Sequence, residues 1–292
     1  MPLRKANLDR RDCMVGVHRS ILSLFLLICA VKQMDRGADI FADQLEKGRE
    51  ALRKQEYELA IKELKQAVSL MKDSPDANYL LGLAYYHAGK TQDAVRSLKR
   101  AVRLQPHFPE AHYLLAVLLY RDSRKETDAE LRLALEQDPR LSQALLLFGN
   151  LAVIDHKTSV ALDFYERALQ GSLSVSERSS LLRLVEGLRN SLEIDRHPLN
   201  PAFRNPEIVY RAPLPVYAPT AVAERIYGMV RLVVLIDIEG RVSDVRVLVR
   251  IHPDLDQSAA DWIRKCKFSP ALKNSNPVLI SALIEVDFKF RR

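Results

Sequence analysis

The chain has little cysteine: Cys13, Cys29 and Cys266 are its only thiols in 292 residues. No two of them have metal-ligand spacing, and three thiols do not make a disulfide framework. The sequence also lacks a glycine-rich phosphate loop, a His-Glu-x-x-His motif and a Gly-x-Ser-x-Gly motif. Its seven histidines are scattered, and we expect them, including His112, at the surface or at helix ends. We therefore predict no metal, no cofactor and no enzymatic activity.

A concentrated basic surface is also missing. The net charge is +7, but apart from four basic residues within positions 4–11 the positive charges are interleaved with acidic ones. Binding to nucleic acid needs a basic stripe, usually with stacking aromatic side chains, and the sequence shows neither. We predict no nucleic-acid partner.

The longest apolar run is short. Residues 20–31, SILSLFLLICAV, span about 18 Å as a helix and follow a basic segment, so they are too short for a bilayer core. This pattern is typical of a secretory signal, and we predict a signal peptide or short membrane anchor over 1–40. Lipidation at Cys29, a start at Met14 and a buried helix of a cytosolic protein are the alternatives.

Small residues recur with a fixed period. Gly48 and Gly82 lie 34 residues apart, and so do Ala134 and Ala168. Such a period indicates one supersecondary unit used several times. In the unit containing Gly82, apolar residues have helical spacing, a glycine at 89 predicts a helix end, and Thr91 is expected to cap the next helix.

This unit resembles the tetratricopeptide (TPR) repeat, a pair of antiparallel helices. The matching positions are Gly82, Tyr85, Ala94, Leu98, Ala101 and Pro106. We predict an all-α TPR solenoid over 41–194, with about four repeats over 41–173 and a capping helix at about 174–194.

TPR arrays bind peptides or protein surfaces in a groove lined by the first helix of each repeat, as the resemblance implies. Tyrosine suits such a surface, since it offers a large contact area at low entropic cost. An alternative role for Tyr79 and Tyr113 is packing between repeats. The groove candidates are Arg49, Tyr79, Leu83, Tyr86, Glu110, Tyr113, Val117, Tyr120 and Asn150.

The composition changes after residue 194. Six prolines within 195–219 predict an extended connector, of which we assign 195–212 to a linker. Alternating apolar residues then predict strands at 229–238 and 242–250 around a Glu239-Gly240 turn. A helix that we expect Asp254 and Asp256 to cap and a last strand at 278–290 complete a β-β-α-β order, which is an α+β domain.

This segment, 213–292, resembles the C-terminal domain of TonB, the periplasmic energy transducer of Gram-negative bacteria. The resemblance rests on order and spacing rather than on one motif. Two departures are Ala218 between Tyr217 and Pro219, and Cys266 at a usually aromatic position, whose space we expect Trp262 to fill. The matching residues are Pro215, Tyr217, Gly228, Val230, Gly240, Arg241, Val242, Asp244, Val245, Leu255, Asp256, Ala259, Ala260, Phe268, Pro270, Ala271, Val286, Phe288 and Phe290.

The resemblance implies a peptide-binding sheet edge in the closing strand, where TonB adds a segment of an outer-membrane receptor to its sheet. An unpaired edge offers backbone donors and acceptors to an extended peptide. The charged residues that alternate along this strand equally fit a protected, idle edge. The candidate edge residues are Ala282, Ile284, Val286, Phe288 and Phe290.

The two resemblances together predict a non-enzymatic adaptor in the periplasm or envelope of a Gram-negative-type bacterium. Its expected partners are proteins or extended peptides, including outer-membrane receptors, and its N-terminal segment could associate with the inner membrane. The alternatives are a TonB-type energy transducer and a regulatory subunit of an envelope enzyme complex.

Overall fold

The structure is a computed structural model that describes residues 37–223 and 225–289. It divides into two compact units, one ending at Glu130 and the other beginning at Leu131. The predicted signal segment lies almost entirely outside the described residues. Within the described part of the chain, no helix is both long and apolar enough to cross a membrane.

The first unit consists of antiparallel helical hairpins. Glycine allows the two helices of a hairpin to approach closely: a Cβ at Gly48 would lie 2.5 Å from the Leu64 side chain, and one at Gly82 would lie 2.7 Å from that of Leu98. The same close approach recurs in two successive repeats, which is the physical basis of the 34-residue period. The helices are α1 (37–53), α2 (Tyr57–Leu70), α3 (Pro75–His87), α4 (Thr91–Leu104), α5 (Pro109–Leu119) and the beginning of α6 (Arg124–Gln137).

Two details of the first unit differ from expectation. Thr91 is the first residue of α4 and not its cap, because Lys90 holds the N-cap position and no side chain caps the helix. His112 is buried rather than at the surface. Its Nδ1 lies 2.6 Å from Glu130 and its Nε2 lies 3.0 Å from the carbonyl oxygen of Pro106, so the ring joins the α4–α5 connection to α6.

The second unit contains the rest of α6, then α7 (Ser142–Ile154), α8 (Thr158–Leu169) and the long α9 (Val175–Asp195). A Cβ at Gly149 would lie 2.4 Å from the Tyr165 ring, so this hairpin repeats the close approach seen at Gly82. Helix α9 begins with a capping box, in which Ser174 and Glu177 each bond the other's backbone N–H.

The largest sheet of the second unit is antiparallel and has the order β3 (Val242–Val249), β2 (Gly228–Ile236), β7 (Ile280–Phe288). Gly240 turns the chain between β2 and β3 with a φ of +79°, in a loop where Asp237 accepts bonds from the amides of Glu239 and Arg241. The strands are β1 (Ile208–Tyr210), β2 (Gly228–Ile236), β3 (Val242–Val249), β4 (Lys267–Phe268), β5 (Ala271–Lys273), β6 (Asn276–Val278) and β7 (Ile280–Phe288).

Helix α11 (Pro253–Lys265) packs on one face of this sheet through Leu255, Ala259 and Ile263, which are fully buried. The expected cap was wrong: His252 caps α11 through the amide of Asp254, whereas Asp256 lies buried within the first turn. Trp262 packs against the same core, as expected.

Helices α7 and α9 pack against the other part of the sheet. Their core includes Leu184 and Leu188 of α9 together with Val233, Leu235 and Leu248 of the sheet. The fourth hairpin, the capping helix and the sheet therefore share one hydrophobic core. The predicted fold class, helical hairpins followed by a small α+β domain, is confirmed.

The proline-rich segment is not free of the sheet domain. Its strand β1 pairs with β4, with Ile208 opposite Phe268, and Arg204 forms a bridge with Leu272. The segment ends in a short helix, α10 (Pro219–Ala223), which the sequence pattern did not indicate.

Candidate functional site

Three of the predicted groove tyrosines come together in the first unit. Tyr79 and Tyr86 lie on α3 and Tyr113 lies on α5, and each is half-buried. Tyr79 also packs against Phe108, with the ring centroids 4.8 Å apart. We call Tyr79, Tyr86, Tyr113 and Glu110 the tyrosine cluster.

The members of the cluster interact electrostatically. Burial raises the pKa of Tyr113 to about 12, and the neighbouring phenols of Tyr86 and Tyr79 add to the increase. Burial, followed by the charge of Glu110, raises the pKa of Tyr79. The phenols of Tyr79 and Tyr113 therefore stay neutral near pH 7 and can donate hydrogen bonds from a partly apolar surface.

The remaining candidates of the first unit lie on α1, α3 and α5 or just after α5. Leu83, Val117 and Tyr120 are half-buried on or just after α3 and α5. Arg49 is exposed on α1 and forms an ion pair with Glu46 at 3.7 Å.

Asn150, the candidate of the second unit, has partners within that unit. Its amide nitrogen donates to the carbonyl of Leu248 in β3 at 3.2 Å, and its amide oxygen accepts a bond from the Tyr165 hydroxyl at 2.8 Å. The groove position of α7 is thus occupied by a strand of the same chain.

The candidate residues of β7 have inward side chains. Val286 and Phe288 are buried in the core beneath α11, and Ala282 and Ile284 pack against it. Phe290 lies outside the described residues. An added segment would therefore contact mainly the backbone of β7 and the side chains around it.

The backbone groups of β7 that point away from β2 belong to the residues between these candidates. Ser191 bonds both the N–H and the C=O of Ser281, so these groups point away from β2. Backbone direction alternates along a strand, so the groups of Leu283, Glu285 and Asp287 also point outward. Within the described part of the chain, these three pairs of groups have no hydrogen-bond partner.

A cleft of about 580 Å³ adjoins this open edge. Trp262 fixes one wall, because its ring N–H donates to the carbonyl of Ala212 at 3.1 Å. Ser258 holds the same wall through the carbonyl of Val216 at 2.6 Å. The lining residues are Arg211, Leu214, Pro215, Tyr217, Val222, Trp262, Glu285, Val286, Asp287, Phe288 and Lys289.

The charges in the cleft are mostly paired. Glu285 lies 2.8 Å from Arg231, and Asp287 lies 2.7 Å from Lys289. Arg211 is exposed and has no carboxylate within ion-pair distance among the described residues. The cleft therefore offers one uncompensated cation beside apolar walls.

Exposed apolar side chains are frequent in and beside the segment that forms this wall. Val209, Tyr210, Leu214, Val216 and Tyr227 are all more than half exposed, with Val216 at 74%. Contiguous exposed apolar surface is typical of interaction sites. Sequence reasoning missed this wall, although its proline-rich composition with interspersed aliphatic residues was a usable signal.

Two family models match the chain. Residues 51–118 match the tetratricopeptide repeat, and residues 213–290 match the C-terminal domain of the Gram-negative bacterial TonB protein. The chain combines TPR repeats with a TonB-like C-terminal domain. Both families generally bind proteins or peptides and are generally non-enzymatic, and the TonB match points to a Gram-negative envelope.

Solved structures that resemble the chain include several TPR proteins. The MamA structure is 22% identical, with 44% of this chain and 77% of that chain covered and a TM-score of 0.42. A TPR protein of Thermus thermophilus is 18% identical, with 53% and 82% covered and a TM-score of 0.41. YrrB, described as having an unusual peptide-binding site, is 22% identical, with 42% and 64% covered and a TM-score of 0.38. No curated protein matches the chain.

Proposed function

We propose that this protein is a non-enzymatic adaptor of the bacterial envelope that binds one protein at the tyrosine cluster and another at the β7 cleft. The observation that carries the proposal is the open edge of β7 beside the cleft. Unpaired donors and acceptors in register, next to apolar walls, are the requirements for strand addition by an extended peptide.

The tyrosine cluster supports the second contact. Its phenols are half-buried and hydrogen-bond competent, and they lie on the first helices of two successive hairpins. A partner that covers them would gain apolar contact and hydrogen bonds without ordering flexible side chains.

Site-specific crosslinking in the full chain tests this function. A photoreactive residue at position 287 and another at position 86 would each be used in living cells. We expect the two positions to capture different proteins, and we expect a ternary complex when both partners are present. Capture of the same single protein at both positions, or of none, would contradict the adaptor.

Removing one backbone N–H of the β7 edge distinguishes binding by strand addition from incidental contact. Glu285→Pro removes one outward N–H without removing a bond to β2, because the amide of Glu285 points away from β2. We expect this variant to lose capture at 287 and to keep capture at 86. Glu285→Gln, which keeps the N–H, is the matched control and should behave as the wild type.

The open edge also supports a TonB-type energy transducer as a second function. That role predicts that the full chain binds plug segments of outer-membrane receptors and that cells carrying Glu285→Pro lose receptor-dependent uptake. Edge binding without an uptake defect would favour the adaptor.

A further inference from the structure

The edge of β7 is open over only part of its length, because α9 covers its beginning. The Ser191 hydroxyl oxygen lies 2.8 Å from the carbonyl oxygen of Ser281 and 3.2 Å from its amide nitrogen. The outward backbone groups of Ser281 are thus already bonded within the chain. The next outward position, Leu283, is the first that has none of these bonds.

Helix α9 also leaves no room for another strand at this point. A Cβ at Gly187 would lie 3.0 Å from the amide nitrogen of Ser281 and 3.1 Å from the carbonyl carbon of Ile280. The Asn190 amide donates to the carbonyl of Leu279 at 2.8 Å. An added strand needs about 4.8 Å between backbones, so the helix and the strand cannot admit one between them.

Helices α7 and α9 also contact β3, the strand at the opposite edge of the sheet. On β3, the carbonyl of Leu248 accepts from Asn150 of α7, and Asp244 accepts from Ser180 of α9 at 3.0 Å. Leu248 is itself buried against the helices. Helix α9 therefore covers the beginning of the β7 edge and leaves the later half of that edge open.

We propose that α9 acts as a stop that confines strand addition to Leu283–Lys289. This inference rests on the proposed function of the β7 edge. The occupant is an extended segment of another protein, paired over no more than about seven residues, or about 24 Å. Alternate side chains of that segment face the cleft and are apolar, since Leu214, Val222 and Trp262 line it.

A second copy of β7 is a poor occupant. Antiparallel pairing about Glu285 would place that carboxylate opposite its own copy, and pairing about Val286 would place Glu285 opposite Asp287. Like charges directly opposite one another destabilise a strand pair. Any longer overlap would meet α9.

Amide hydrogen exchange of the full chain tests the stop without a ligand. We expect the amide of Ser281 to exchange about fivefold more slowly than those of Leu283, Glu285 and Asp287, because one retained bond is worth roughly that factor. Ser191→Ala should remove this protection at Ser281. Ser180→Ala, which removes a contact of α9 to a side chain of β3, should not. Equal exchange at 281 and 283 in the wild type would overturn the proposal.

Peptide selection tests the length limit. A library of random dodecapeptides with blocked ends would be selected on the full chain, and binders lost with Glu285→Pro would be kept. We expect these binders to protect the amides of Leu283, Glu285 and Asp287 and to leave that of Ser281 unchanged. Truncation of a binder should leave its affinity unchanged until fewer than about seven residues remain.

Protection reaching Ser281, or dimerisation of the chain through β7, would overturn the stop. Failure to select any binder sensitive to Glu285→Pro would instead count against the proposed function, while the exchange experiment would still decide on the stop.

Discussion

Helices α3 and α7 hold the same place in their repeats but use it differently. In α3 the groove face carries Tyr79 and Tyr86, which stay half-exposed beside Tyr113. In α7 the groove face carries Asn150, which bonds strand β3 of the same chain. The position of a residue within the repeat thus determines whether its side chain faces the groove. Whether the groove is open depends on a segment far along the chain.

The close approach of helices shows the same contrast at a finer scale. Gly82 and Gly149 both admit a neighbouring side chain, Leu98 and Tyr165 respectively. Tyr165 also makes a bond that Leu98 cannot make. Its hydroxyl donates to the amide oxygen of Asn150, and the amide nitrogen of Asn150 donates to the carbonyl of Leu248. A tyrosine where the earlier repeat has leucine therefore links the fourth hairpin to the sheet.

The largest effect is expected from the core shared by α9 and the sheet. Leu184→Ala should lower the free energy of unfolding of the second unit by about 2–5 kcal/mol, since Leu184 is buried there and a cavity would remain. Trp262 is the only tryptophan and lies in this unit, so its fluorescence during urea unfolding reports the change. Leu182→Ala, at an exposed leucine of the same helix, should change little. Equal effects would show that α9 does not share the core.

The next effect tests how closely α9 approaches the backbone of β7. Alanine usually stabilises a helix interior relative to glycine by about 1 kcal/mol. At Gly187 we expect Gly187→Ala to destabilise by about 1–3 kcal/mol instead, because the new Cβ would meet the backbone of Ile280 and Ser281. Ser179→Ala on the exposed face of α9 is the control. A stabilised Gly187→Ala variant, followed by Trp262 fluorescence, would refute the close contact.

A smaller effect is expected where the groove face of α7 meets the sheet. Asn150→Ala should cost about 1–2 kcal/mol, because it leaves the carbonyl of Leu248 and the hydroxyl of Tyr165 without their partner. The same fluorescence measurement applies. Gln143→Ala, at an exposed residue of α7, should be neutral, and an equally neutral Asn150→Ala would mean that this groove face is open like that of α3.

The smallest effect concerns pH and the first unit. The hydrogen bond to Glu130, opposed by burial and aided by the Pro106 carbonyl, raises the pKa of His112 in the folded state. Protonated His112 thus stabilises folding below its unfolded pKa of about 6.5, and this stabilisation is lost as pH rises through the higher folded pKa. Urea unfolding followed by circular dichroism should show this loss. His112→Gln should abolish it, and His107→Gln, at an exposed histidine, should preserve it. An identical pH profile in His112→Gln would contradict the assignment.

Local patterns predicted most of the elements. Gly89, Gly240 and the Ser174 capping box end or begin elements where expected, because turns and caps depend on a few neighbouring residues. The wrong predictions concerned N-cap residues. Lys90 rather than Thr91 holds the N-cap of α4, and His252 rather than an aspartate caps α11. N-cap propensity ranks residue types as caps, but it does not determine which side chain accepts a hydrogen bond from a backbone N–H at the start of a given helix.

The site was predicted less completely. The tyrosine cluster follows from helical spacing, because Tyr79, Leu83 and Tyr86 must share one face of α3. For β7, the pattern identified the strand and the side chains that enter its core. It did not show that the open edge lies on Leu283, Glu285 and Asp287, or that residues 211–222 form the opposite wall.

The sequence by itself determined the repeated hairpins, the small sheet domain and the helix face that carries the tyrosines, because spacing along the chain sets which side chains share a surface. Only the tertiary structure decided which edges and grooves stay open. Asn150 and Leu248 are 98 residues apart, and Ser191 and Ser281 are 90 apart. No local pattern encodes such pairs, since their bonds exist only once α7 and α9 have packed against the sheet.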